Sequence, residues 1–276
     1  MLRVATLAAV AAVVAAHSPS PIRVVRLRFV DHTRVAHLHT GKTVPRTLVT
    51  EVRYPASGGP FPLVVFGHGF ALTPDRYAAL LDAWARAGYV VAAPLFPVEN
   101  ANAPGGPSES DLVNQPGDIR FVITQLLADR ALRGLIDPQK IAVAGQSDGA
   151  ETAYAVAYES RYRDPRIRAA VVLSGAELPG GTPGPGPPLL AAQGTRDAIN
   201  SPSNTAQLYR DTGRPKFLLW LLGASHLPPY TTNVRERTVV ERVTIAFLDR
   251  YLKHGSLSGL LAAGRAPGVA RLTAQP

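Results

Sequence analysis

An α/β fold with a mostly parallel central sheet and helices on both faces is predicted by three features of the chain. From Pro62 to Lys253 short continuous apolar runs alternate with helix-length amphipathic segments, the pattern of strands buried on both sides. Gly or Pro stands at most of the junctions, where turns need them. A chain of 276 residues, 46% of them hydrophobic, also has the material for one substantial core.

Taken in order, Ile22 to Val30 and Thr47 to Tyr54 are rich in β-branched residues around a polar, Gly-containing stretch, and read as an antiparallel pair. Strands are then expected at Leu63 to Phe66, Tyr89 to Ala93, Ile141 to Ala144, Ala169 to Leu173, Leu189 to Ala192 and Phe217 to Leu221. Between them the helices are Pro74 to Ala87, with Thr73 as N-cap and Gly88 as stop, then Gly117 to Leu132, Gly149 to Glu159, Ser203 to Asp211 and Glu236 to Lys253. Glu99 to Pro116 and Glu177 to Pro188 carry too much Pro and Gly for either element and read as loops. Each leaves the C-terminal end of a strand, where open α/β sheets hold their ligands. Leu257 to Pro276 reads as a loosely docked tail.

At the N-terminus, Arg3 precedes an apolar run from Val4 to Ala16 that ends in small residues. This is the form of a secretory signal peptide over Met1 to Ala16, with the mature chain starting near His17. The run falls short of the roughly 20 residues that span a bilayer, so the expectation is a secreted protein without stable membrane insertion, residues 17–276 forming a single domain. Cysteine is absent, which excludes disulfides, thiolate metal sites and a cysteine nucleophile. The net charge of +9 is read as Arg on solvated faces. No segment interleaves aromatics with Arg as a nucleic-acid platform does.

Chemistry concentrates in Gly145-Gln146-Ser147-Asp148-Gly149, which follows one predicted strand and opens a helix. That setting makes it a nucleophile elbow: a sharp turn that lifts Ser147 above the sheet edge and tolerates only Gly at its flanks. A serine nucleophile needs a base, and the base an orienting acid. His226, in Gly223-Ala224-Ser225-His226, follows the last predicted strand, and Asp197 follows the one before it. Both fall at the same edge as Ser147, in the order Ser, Asp, His. Glu177, one strand earlier, is the competing acid. Gly67-His68-Gly69-Phe70 follows Leu63 to Phe66, so the backbone N–H groups of Phe70 and Asp148 are the expected oxyanion hole, with the Phe70 ring as one wall of the acyl pocket. Because a carboxylate beside such a hole opposes its purpose, the Asp148 side chain is expected to turn outward, to solvent or to a cation such as Arg196. His32, His37 and His39 have no carboxylate partner in register and read as surface histidines, with no metal site.

On these residues, together with Ile136-Asp137-Pro138 and Pro202, the chain from about Phe61 to Arg250 resembles one branch of the α/β-hydrolase superfamily. That branch includes dienelactone-hydrolase-like esterases, platelet-activating-factor acetylhydrolases, chlorophyllase-like proteins, and bacterial cutinases and polyester hydrolases. The resemblance implies a monomeric serine carboxylic ester hydrolase that needs no cofactor and acts on small-molecule or polymeric esters. In the bacterial cutinases an aromatic residue supplies the first oxyanion amide, which matches Phe70. Those enzymes carry Met where this chain has Asp148, a Trp where it has Ala176, and a disulfide that it cannot form. Ala176, with Phe96 or Tyr230 as alternative walls, completes the candidate substrate pocket with Phe70. Weak grip on aromatic polyesters follows, and a dedicated polyester or cutin hydrolase is the rival reading. The complete trio argues against a non-catalytic relative that binds lipid or cell wall.

Overall fold

In a computed structural model that describes residues 21–276, the apolar runs line up as one sheet in the order β1-β2-β4-β3-β5-β6-β7-β8-β9. The expected signal peptide lies outside the described residues. The parallel core is β3 (Phe61–Gly67), β4 (Val90–Leu95), β5 (Ile136–Gln146), β6 (Ile167–Leu173), β7 (Leu189–Gly194) and β8 (Lys216–Leu221). Register brings Gly67 level with Gly145, Gln146 with Leu173, and Gly194 with Leu221, so the C-terminal ends of these strands form one edge. The antiparallel pair is β1 (Ile22–His37) with β2 (Thr43–Pro55), longer than predicted and joined to the sheet through β4. The β1 register shifts between Asp31 and Val35, where the Asp31 carboxylate takes the Thr33 N–H.

Helices cover both faces. On one, α1 (Ala78–Arg86), α5 (Val234–Leu252) and α6 (Leu257–Ala263) bury Trp84, Phe247 and Leu260 against Phe66 and Phe217. On the other, α2 (Gln115–Ala128), α3 (Asp148–Tyr158) and α4 (Pro202–Asp211) bury Ile123, Tyr154 and Leu208 against Val65 and Val143. Among the described residues no helix is long and apolar enough to cross a membrane.

Several expectations are corrected. The tail is not loosely docked: α6 packs on α5, and β9 (Ala270–Gln275) pairs antiparallel with β8. Pro116 lies inside α2, in the first turn, where a missing N–H costs nothing. The same helix ends early because the Asp129 carboxylate takes the N–H groups of Ala131 and Leu132. Ahead of α1 the chain makes a 3-10 turn at Pro74–Tyr77, and the Thr73 hydroxyl bonds the Asp75 carboxylate rather than capping the backbone. The segment from Glu99 to Pro116 contains a 3-10 turn at Glu109–Asn114, held by Arg46 of β2. Arg46 is fully buried and bonds both oxygens of Asp111 and both of Asp118 at 2.6–2.9 Å.

Candidate active site

The elbow is built by close approach. A Cβ at Gly145 would lie 1.9 Å from the Gly149 carbonyl oxygen, and one at Gly149 would lie 2.1 Å from that of Gly67. Only Gly therefore lets β3, β5 and α3 meet here. Ser147, at the head of α3, adopts φ +55° and ψ −126°, a backbone strain of order 1–3 kcal/mol that the surrounding packing must hold.

Asp197 and His226 come together as expected, with His226 Nδ1 2.7 Å from Asp197 Oδ2. Two features join their loops: the Arg196 N–H donates to Ala224 O at 2.9 Å, and the Gly223 N–H to the Thr195 hydroxyl at 2.8 Å. Asp197 accepts three further bonds, from the N–H groups of Ile199 and Asn200 and from Gln193 Nε2. Burial opposes its charge, but His226 first, then the N–H groups of Asn200 and Ile199, outweigh burial and hold the carboxyl below its ordinary range. Glu177 makes no hydrogen bond to His226, and its carboxyl is raised, chiefly by burial. Gln193 was missed by sequence reasoning; its place at the end of β7, four residues before Asp197, was the only signal.

Ser147 makes no hydrogen bond to His226. Its hydroxyl donates to Asp148 Oδ1 at 3.3 Å, while His226 Nε2 faces Gln146 Nε2 at 3.2 Å. The N–H groups of Phe70 and Asp148 meet no acceptor among the described residues, as two donors reserved for an oxyanion would. The loop that carries Phe70 is braced by His68, whose Nδ1–H donates to Gly69 O at 2.9 Å and whose Nε2 accepts the Phe96 N–H at 3.1 Å. Burial holds His68 down to about 4, so it stays neutral.

The proposed walls divide. Phe70 is 40% exposed and Ala176 half-buried, so both can meet a ligand. Phe96 and Tyr230 are corrected, since both are fully buried. Phe96 packs on His68 with ring centroids 4.8 Å apart. The Tyr230 hydroxyl lies 2.9 Å from that of Ser174 and donates to Ala192 O.

Asp148 also departs from expectation. It is 8% exposed and makes no ion pair with Arg196 among the described residues; its Oδ2 has no donor. Its neighbour is Glu99, 0% exposed, with neither oxygen meeting a donor. A proton carried by one of the two acids is what can bridge the carboxyls. Burial first, then the contact with Asp148, pushes Glu99 up to about 10. The unfolded chain releases this proton near the ordinary carboxyl value of 4.5 and the native chain near 10. Between those values the native state binds more protons, so this group's contribution to stability falls as pH rises. Glu99→Gln is therefore expected to raise the melting temperature more at pH 8 than at pH 5. An equal change at both values would show that Glu99 is ionised in the native protein.

Comparison with known proteins bears on the family and the fold. Residues 27–174 match the chlorophyllase family. A protein of Chenopodium album, chlorophyllase type 0, is 27% identical over 140 residues, half of this chain and 36% of that protein, so the match spans about a third of the relative's length. In fold, the chain is similar to a ferulic acid esterase from Streptomyces cinnamoneus, with a TM-score of 0.73 and 21% identity over 93% of this chain and 96% of the other. With more than half of its residues matched, the chain belongs to the chlorophyllase family, within the α/β-hydrolase superfamily.

Proposed function

We propose that this protein is a serine carboxylic ester hydrolase. The observation that carries the reading is the Asp197–His226 pair set at the sheet edge beside a serine in the strained elbow conformation. In the proposed cycle Ser147 Oγ attacks the ester carbonyl as its proton passes to His226 Nε2. The carbonyl electron pair moves to oxygen, where the Phe70 and Asp148 N–H groups receive it. His226 then gives the proton to the departing alkoxide, leaving an acyl-enzyme that water, activated by the same base, hydrolyses. Asp197, kept ionised by its four donors, steadies the imidazolium.

A fluorophosphonate probe tests the class directly. Adduct on Ser147 with turnover of p-nitrophenyl esters is expected, and a protein that binds without an activated serine leaves the probe unreacted. Within this class, Phe70 gives one exposed aromatic wall and Ala176 a short opposite one, which supports short-chain and aliphatic esters over aromatic polyesters. An aromatic contact is worth about 1 kcal/mol, a several-fold effect on a weakly bound chain. Ala176→Trp is thus expected to raise product release from poly(ethylene terephthalate) several-fold relative to p-nitrophenyl butyrate hydrolysis. Strong release by the unchanged protein would favour the polyester-hydrolase reading instead.

A further inference from the structure

A chain of buried hydrogen bonds runs from the oxyanion loop to the base, and its direction is fixed at one end. The Gly69 N–H can only donate, and it lies 3.2 Å from the Tyr77 hydroxyl oxygen. Tyr77 must therefore spend its single proton elsewhere, and Gln146 Oε1 is 2.7 Å away. That contact orients the Gln146 amide with its NH2 toward His226, 3.2 Å from Nε2 and 3.4 Å from the backbone oxygen of the same residue. An NH2 group has only hydrogens to offer. Nε2 is then the bare nitrogen, and the ring proton sits on Nδ1, facing Asp197. Gln146 and Tyr77 are fully buried and His226 nearly so, so water does not replace these bonds.

We propose that Gln146 is a positioning residue that caps His226 Nε2 in the resting enzyme, selects the tautomer able to accept the Ser147 proton, and disfavours the imidazolium. This rests on the reading of Ser147 and His226 as nucleophile and base. At rest the serine proton is held by Asp148 Oδ1 and the lone pair of the base by Gln146. During attack Ser147 Oγ turns to Nε2, its proton moves there as the Oγ–carbon bond forms, and the carbonyl electron pair moves to oxygen. Gln146 keeps its other hydrogen on His226 O. The new Nε2–H now opposes the Gln146 NH2, donor against donor, which drives the proton onward to the leaving oxygen.

The remaining titratable groups around the base leave its protonation legible in kinetics. Asp197 is held below the usual range, and Glu99, behind Asp148, keeps its proton to about 10. Burial raises the Tyr77 and Tyr230 hydroxyls above their ordinary value. The acid limb of kcat/KM against pH is the readout, because it reports the free enzyme's base.

The test measures that limb on a soluble p-nitrophenyl ester for the unchanged protein and for Gln146→Glu, Gln146→Leu and Tyr77→Phe. Gln146→Glu replaces a donor by an acceptor, and should move the limb to higher pH by about one unit or more. Gln146→Leu removes the donor and should move it the same way by less, with KM unchanged. Tyr77→Phe deletes one oxygen without changing the packing volume, and should shift the limb in the same direction by freeing the amide to turn over. Folded variants whose acid limbs coincide with that of the unchanged protein would overturn the proposal and leave Gln146 a packing residue. If instead the unchanged protein neither turns over the ester nor takes the fluorophosphonate on Ser147, the catalytic reading itself has failed.

Discussion

Replacing Ser147 or His226 by Ala is expected to lower kcat by about 10⁴- to 10⁶-fold, and the double variant to be no worse than the poorer single, because the two act as one unit. Losses that add in the double variant would show that one residue works outside the unit. The acid can be ranked in the same assay. Asp197→Asn keeps the volume but favours the wrong imidazole tautomer, and should cost about 10⁴-fold. Glu177→Gln should leave the rate nearly unchanged, since Glu177 makes no hydrogen bond to the base. The reverse ranking would move the acid to Glu177 and dissociate catalysis from the 2.7 Å pair.

The largest expected effect on stability lies away from Ser147, at Arg46. Its guanidinium is fully buried and makes four hydrogen bonds to Asp111 and Asp118, while Arg34 reaches Asp118 at 2.9 Å. Arg46→Ala leaves Asp111 without its cation and Asp118 with Arg34 alone, which costs about 3–5 kcal/mol and lowers the melting temperature by about 10 °C. Replacing Arg46, Asp111 and Asp118 together by apolar residues of similar size should recover most of the loss, because the charges depart with their partner. A drop of under about 1 kcal/mol in the single variant would mean that the cluster is held by water or by Arg34 alone. Because Asp111 sits in the 3-10 turn between Glu99 and α2, activity should fall with stability in Arg46→Ala.

The parts of the fold legible in the sequence are those whose burial is two-sided. β3 to β8 read as continuous apolar runs because neighbouring strands and helices cover them on every side. β9 lacked that signal. Its segment Arg271-Leu272-Thr273-Ala274 alternates over only four residues after Pro267-Gly268, and it becomes a strand by pairing with β8. At the site, the elbow at Ser147 and the Asp197–His226 pair were readable because the elbow needs Gly at two fixed positions and the pair falls just after two adjacent strands. Phe96 and Tyr230 were misplaced for a physical reason: an aromatic at a strand end satisfies a pocket and a core equally well until its neighbours are known. Gln146 and Glu99 left no pattern at all. Their meaning lies in single contacts with His226 and Asp148 that bring together residues far apart in sequence.

The Gly/Pro segment between Glu177 and Pro188 is stapled along its length to the far end of α3. The Gly184 N–H donates to Tyr158 O, the Tyr158 hydroxyl to Pro187 O and Arg163 to Pro185 O, and Glu159 bridges to Pro183. Its prolines enter folding with few conformations to lose, so ordering it is inexpensive in entropy. The staple acts on carbonyls more than on side chains, and leaves the exposed position Pro179 free to change, while Gly180 at φ +75° keeps its glycine. The segment is thus a natural graft point, where the stretch between anchors can be exchanged while α3, which carries Ser147 at its head, keeps its footing.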